Sequence, residues 1–191
     1  MTISNKYQII YADPPWAYKS LKIGGAAANH YQTMKWQDIA LMPVSEITAD
    51  NCIIFMWATF PQLREALEVI EAWGFEYKTL GFSWIKTNQD GTPFFGIGYY
   101  AKSNCEVCLM ATKGKAHSLV KSNSVSSVII HPKTAHSRKP DVVREKIVEL
   151  MGDIPRIELF ARDNGDKDLF GKNRLDGWDT WGNEVKQDIK L

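Results

Sequence analysis

Asp13-Pro14-Pro15-Trp16 follows directly on a short apolar run, Tyr7-Gln-Ile-Ile-Tyr-Ala12. These four residues bring together a carboxylate, a stiff backbone and an aromatic face. Proline fixes φ near −65° and lacks an N–H, so neither proline continues a ladder and the carbonyls around them point into a cleft. A nucleobase amine held there would give one hydrogen to Asp13 and the other to a proline carbonyl, with its ring stacked on Trp16. The nitrogen lone pair would then face an incoming methyl group. The same residues also suit a rigid turn at a strand end, so the rest of the chain must decide.

A methyl donor such as S-adenosyl-L-methionine needs partners for its carboxylate, its ammonium and its ribose diol. Lys139 immediately precedes Pro140, at the expected start of a helix. The free N–H groups and partial positive charge of a helix N-terminus would join that lysine in seating a carboxylate. Glu158, Arg162, Asn183 and Glu184 lie on or after the last expected strand and carry groups that suit a diol. Lys19, Lys22, Lys102, Lys133, Arg138 and Lys172 are candidates for substrate phosphates and Lys86 for a further substrate contact, although such residues often serve only as solvated surface charge. Gly96-Ile-Gly98 lacks the third glycine and the context of a dinucleotide fingerprint, and reads as a flexible loop.

The elements that must position these groups alternate. Tyr7–Ala12 is nearly continuous in apolar residues, as a parallel strand covered on both faces should be. Residues 17–32 are rich in glycine and alanine, bear lysines and show little periodicity; a loop of that length is expected to be mobile and to serve the substrate. A short helix is predicted near 35–41 and a second buried strand at 52–58. Pro61 suits a first helical position, and Leu63, Ala66, Leu67, Ile70 and Trp73 fall on one face of the helix that follows, ended by Gly74. Further strands are predicted at 80–86, 106–111, 128–131 and 156–161, with a helix opening at 137–140 and ending at Gly152. Alternation with short connections predicts an α/β, mostly parallel, doubly wound sheet. Such sheets bind ligands beyond the carboxyl ends of their strands, where Asp13 and Arg162 would both lie.

The chain has 191 residues, of which 45% are hydrophobic and 24% charged, which suits one domain spanning 1–191 with a sizeable core. A net charge of +1 excludes an all-over basic coat, though not a local basic patch. Neither a charged leader with an apolar core nor a bilayer-length apolar run is present, so the expected compartment is the cytoplasm, without membrane attachment. Cys52, Cys105 and Cys108 are odd in number and sit in apolar stretches. They read as reduced thiols, and Cys105-Glu-Val-Cys108 has no second pair with which to build a zinc site. No metal is expected.

Read together, the motifs resemble the seventy-kilodalton MT-A family, the class of the mRNA adenosine methyltransferase catalytic subunit with its bacterial and phage relatives. The resemblance runs in order through Ala12-Asp-Pro-Pro-Trp16, Tyr31-x-Thr-Met34, Ile54-Phe-Met-Trp57, Trp73-Gly74 and Trp84-Ile-Lys-Thr-Asn88. It continues through Glu106-x-Cys-Leu109, Lys113-Gly114, Ser137-Arg-Lys-Pro140, Ile157-Glu-Leu-Phe160 with Arg162, and Trp181-Gly-Asn-Glu184.

The resemblance implies a Rossmann-like, S-adenosylmethionine-dependent methyltransferase of permuted motif order, acting on the amino group of adenine. Asp13, Pro14, Pro15 and Trp16 would hold the base, with Asp13 also near the donor's ammonium. Lys139 would take the donor carboxylate, and Arg162, Asn183 and Glu184 its ribose side. Tyr31 and the loop before it would border the target base. In eukaryotic members an acidic residue upstream of the tetrapeptide meets the donor's adenine; twelve residues precede Asp13 here, so that contact is expected elsewhere. The insertion at 163–176 is expected to be a mobile flap over the donor.

DNA is the favoured partner, because the chain is compact and carries no appended RNA-binding region. An RNA adenine methyltransferase and a non-catalytic nucleic-acid-binding scaffold are the alternatives. No separate target-recognition domain fits this length, so a short or relaxed sequence preference and a homodimer are expected.

Overall fold

The computed structural model describes residues 6–17, 33–98, 100–133, 138–162 and 175–191. Lys19, Lys22, Tyr31, Lys172, almost all of the expected 17–32 loop and most of the 163–176 insertion lie outside the described residues.

The apolar runs become strands. Strand β1 (Tyr7–Ala12) is followed by two short helices, α1 (Trp36–Ala40) and α2 (Val44–Ile47), and by the long strand β2 (Thr48–Ala58). A 3-10 turn at Phe60–Gln62 leads into α3 (Leu63–Ala72), then β3 (Glu76–Thr87), β4 (Cys105–Lys113), a second 3-10 turn at Ala116–Leu119 and β5 (Val128–Pro132). Helix α4 (Val142–Met151), β6 (Arg156–Leu159) and β7 (Asp179–Trp181) complete the fold.

All seven strands form one sheet in the order β5-β3-β4-β2-β1-β6-β7. Strand β1 pairs in parallel with both β2 and β6, β3 with β5, and β6 with β7. Strand β4 alone runs antiparallel, against β2 on one side and β3 on the other. The expected mostly parallel sheet is therefore present, with one reversed strand that the hydrophobic pattern does not reveal.

Alternate residues of the central strands serve two cores. Ile10 and Ala12 of β1 and Ile54, Met56 and Ala58 of β2 pack with Ile39, Val44, Ile47, Ala66, Val69 and Ile70 of α1, α2 and α3. Ile9 and Tyr11, with Ile53, Phe55 and Trp57, pack on the other face with Val143, Ile147 and Met151 of α4. Period-2 side-chain direction sorts the residues this way, and helices cover both faces.

The topology gathers particular residues on one rim. Six strands end there, so Asp13, Arg162 and the segment after β7 emerge together. Because β4 is reversed, its first residues, Cys105 and Glu106, arrive at that same rim.

Candidate active site

Asp13 leaves the end of β1 between β2 and β6, its N–H donating to the Leu159 carbonyl at 3.4 Å. The prolines that follow turn the chain sharply. The Pro14 carbonyl accepts from Trp16 N–H at 2.9 Å and the Pro15 carbonyl from Met34 N–H at 2.8 Å. Both carbonyls thus already hold one backbone hydrogen bond, and an amine would use the second lone pair that a carbonyl retains. Gln62 fixes the exit of the turn by donating to the Ala17 carbonyl at 3.1 Å.

Trp16 departs from the role expected of it. Its ring is only 5% exposed and belongs to the core beneath α1 and α3. Its indole N–H donates to the Trp57 carbonyl at 3.1 Å. A ring so enclosed offers no face to a base; it is a strut that locks the turn to the end of β2. Hydrophobic burial outweighs the stacking expected from its place in the tetrapeptide.

The centre of the site is a cluster of alternating charge. Lys139 Nζ donates to both Asp13 oxygens, at 2.8 and 2.9 Å, and lies 3.3 Å from Glu106 Oε2. Lys86 closes the other end with an ion pair to Glu106. Beneath them Lys139 sits over the Trp57 ring at 5.5 Å and Lys86 over the Trp84 ring at 4.9 Å, so each ammonium also rests on an indole face. Burial opposes the charge on Lys139, but Asp13 and Glu106 together outweigh it and raise its pKa well above the lysine range. Burial likewise opposes the charge on Glu106, yet Lys139 and Lys86 hold its carboxyl below the usual glutamate value. Lys139 and Glu106 therefore both remain ionised at neutral pH.

Lys139 stands three residues ahead of α4, which begins at Val142. From there it reaches the Asp13 carboxylate itself and not only a seat at the helix N-terminus. Lys86, expected to meet substrate, is turned inward onto Glu106 with its side chain 20% exposed, because β3 and β4 bring the two residues to adjacent positions. Arg138 donates to Asp141 at 2.9 Å. Lys133 lies over the Phe94 ring at 4.7 Å, while Lys102 is exposed on the loop between β3 and β4.

Glu158 requires a second correction. Arg144, from the first turn of α4, clasps both of its oxygens at 2.6 and 2.7 Å and reaches Asp141 at 2.8 Å. The Glu158 side chain is 6% exposed. It faces the α4 core instead of a ribose, on the opposite side of the sheet from its strand neighbours Ile157 and Leu159, which are buried in the core beneath α1 and α3. The Arg144 guanidinium lies 5.6 Å from the Tyr11 ring, and the Tyr11 hydroxyl accepts from the Trp57 indole N–H at 2.7 Å. A continuous buried network thus runs from Glu158 to the indole that supports Lys139.

Arg162, Asn183 and Glu184 do come together. Arg162 pairs with Glu184 in a short parallel bridge beyond β6 and β7, and Asn183 and Glu184 are exposed on the rim. Phe160 turns the chain with φ of 60°, a left-handed conformation costly for a residue bearing a Cβ, and its ring packs edge-on to Trp181 at 5.4 Å. Gly182 permits the close approach, since a Cβ there would lie 2.4 Å from the Ala161 carbonyl oxygen.

The sequence reading assigned no role to Glu106, Arg144, Tyr11 or Trp57. The one available signal was Glu106, an acidic residue heading an otherwise apolar strand. Among the described residues no cluster of three His, Cys, Asp or Glu side chains is placed to hold a metal, and no helix is long and apolar enough to cross a membrane.

The sequence pattern of the MT-A70 family matches residues 7–184. The chain is 35% identical to "Type II methyltransferase M.MunI" of Mycoplasma sp, over 94% of this chain and 78% of that protein. It is 26% identical to "N(6)-adenine-specific methyltransferase METTL4" of Homo sapiens, over 94% of this chain and 37% of that protein. With "N(6)-adenosine-methyltransferase MT-A70-like" of Arabidopsis thaliana the identity is 28%, over 97% of this chain and 24% of that protein. The chain thus spans most of the bacterial relative but well under half of these two eukaryotic ones.

Proposed function

The chain belongs to the MT-A70 family of adenine methyltransferases, and from that premise we propose that it transfers a methyl group from S-adenosyl-L-methionine to the exocyclic amine of adenine in DNA. The observation that carries this reading is the placement of Asp13, at the end of β1 and within 2.9 Å of Lys139, beside a rim bearing Arg162, Asn183 and Glu184.

The donor set fits such a cofactor. Its carboxylate would be taken by Lys139, its ammonium by Asp13, and its ribose hydroxyls by Arg162, Asn183 and Glu184. When bound it supplies an electrophilic methyl on a sulfonium. The chain's own residues do the rest by positioning. Asp13 accepts one hydrogen of the amine while the second lone pair of a proline carbonyl accepts the other, which aims the nitrogen lone pair. Fixing the two partners in line contributes several kcal/mol that would otherwise be lost as motional entropy. Asp13 need not begin as a strong base, because the amine becomes acidic as its bond to the methyl forms.

In a duplex the target adenine must leave the stack, at a cost of a few kcal/mol. DNA is favoured over RNA by the likeness to M.MunI, the relative whose length this chain most nearly spans among those compared. The experiment is labelled methyl transfer to matched unmethylated DNA and RNA, followed by mapping of the modified bases. N6-methyladenine in DNA is the expected product; label confined to RNA would replace the substrate, and no label in either would refute the proposal.

A further inference from the structure

Residues 88–98 leave the end of β3, and residues 100–104 lead back into the start of β4, as the two limbs of a tongue beside the charged cluster. Lys86 joins the two: its N–H donates to the Asn104 carbonyl at 2.8 Å, its carbonyl accepts from Phe94 N–H at 3.1 Å, and its ammonium pairs with Glu106. The base of the tongue is closely tied. Asn88 donates from its side chain to Thr92 Oγ1 at 2.9 Å, Asp90 accepts from Thr92 N–H at 3.0 Å, and Lys133 covers the Phe94 ring.

Beyond that base the tongue narrows. A Cβ on Gly96 would lie 2.4 Å from the Ser103 carbonyl oxygen, and one on Gly98 only 1.9 Å from that of Ala101. The two limbs therefore touch backbone to backbone, which only glycine allows. This thin tip carries Phe95 at 65% exposure, Ile97 at 79% and Tyr100 fully exposed. Lys102 is the one charged residue from 93 to 104.

Large apolar side chains concentrated on one exposed loop mark an interaction site. At about 150–250 Å² each when fully bared, three such residues fall short of the roughly 800 Å² per partner that a stable protein interface buries. A narrow apolar blade does suit a gap between stacked bases, where proteins commonly insert Phe, Ile or similar wedges.

We propose that the tip formed by Phe95, Ile97 and Tyr100 enters the stack beside the target adenine of duplex DNA and holds open the space that the flipped base vacates. This rests on the nucleic-acid reading above and adds to it the element that opens the duplex. Lys86 places the blade at the edge of the cluster containing Asp13, and Lys102 presents a cation to the adjoining backbone.

The test uses the full chain with Phe95→Ser, Ile97→Ser and Tyr100→Ser combined, all at exposed positions. Methyl transfer is measured on duplex DNA and on the same DNA as separated strands, with donor affinity by calorimetry and mass by sedimentation. The expected result is a KM for duplex DNA raised roughly tenfold or more, a smaller rise for single strands, and unchanged donor affinity and mass. A triple variant with wild-type KM on duplex DNA would overturn the proposal. So would a fall from dimer to monomer, which would make the tip a contact between subunits. If the wild type itself methylates no nucleic acid, the functional reading fails and the wedge with it; active wild type beside an equally active variant removes the wedge alone.

Discussion

Lys139 Nζ spans the two carboxylate oxygens of Asp13, at 2.8 and 2.9 Å, across 126 positions of sequence. One lysine is therefore shared between a structural duty, neutralising Asp13 and Glu106, and a proposed ligand duty, receiving the donor carboxylate. In the proposed complex the donor's ammonium would take over part of the neutralisation of Asp13, and Lys139 would share its charge with the donor's carboxylate.

Lys139→Met should weaken both duties. Losing the cation leaves the largely buried Glu106 paired with Lys86 alone of these two lysines, and removing one member of a buried pair costs about 3 kcal/mol or more. Urea unfolding should show that loss, and calorimetric titration should show donor affinity reduced by an order of magnitude or more. Wild-type donor binding in this variant would take Lys139 out of the donor site.

Arg144 and Glu158 should separate architecture from ligand binding. Arg144→Met strands the buried Glu158 carboxylate and should destabilise the protein by about 3–5 kcal/mol. Replacing both by leucine should cost less than the single change, because no charge is then left uncompensated. Glu158→Gln should lower the unfolding midpoint while leaving donor affinity little changed. A large loss of donor affinity with intact stability would restore Glu158 to the ribose site.

The charged cluster sets a pH dependence whose sign follows from Glu106. Its folded pKa lies below its unfolded value, because the flanking lysines outweigh burial. Its contribution is fully present above the ordinary glutamate range and is lost as pH falls through the depressed folded value. Lys139, raised in the folded state, contributes fully below the ordinary lysine range and is lost only as pH rises far into the alkaline region. Urea midpoints followed from neutral pH into acid should therefore fall less steeply in Glu106→Gln than in the wild type. Identical acid limbs would show that Glu106 does not carry this dependence.

Much of this was legible in the residues. The apolar runs of β1 and β2, and the single-face periodicity of α3, come from burial on a fixed period, and burial is what sequence records best. Asp13 and Lys139 were likewise named by their positions beside Pro14 and Pro140. Direction was not legible: β4 has the same apolar pattern whether parallel or reversed, and its reversal is what delivers Glu106 to the rim. The three residues of β7 and the four of α2 are too short to carry a period.

Partnership was the other gap. Nothing in Ile157-Glu-Leu-Phe160 reveals that Arg144 reaches across from α4, nor does Asp-Pro-Pro-Trp reveal that the tryptophan turns under the turn and not over the base. That Arg144 meets Glu158 and that Trp16 is packed in the core both depend on which face packs against which neighbour, a tertiary fact.

The central claim is that Asp13 orients the amine that receives the methyl group. It is tested most directly by comparing wild type with Asp13→Asn in single-turnover transfer of labelled methyl to unmethylated DNA. The account predicts label in N6-methyladenine for the wild type and a rate lower by about 10²–10⁴ in the variant, with the fold retained. A variant that transfers methyl at the wild-type rate would contradict it.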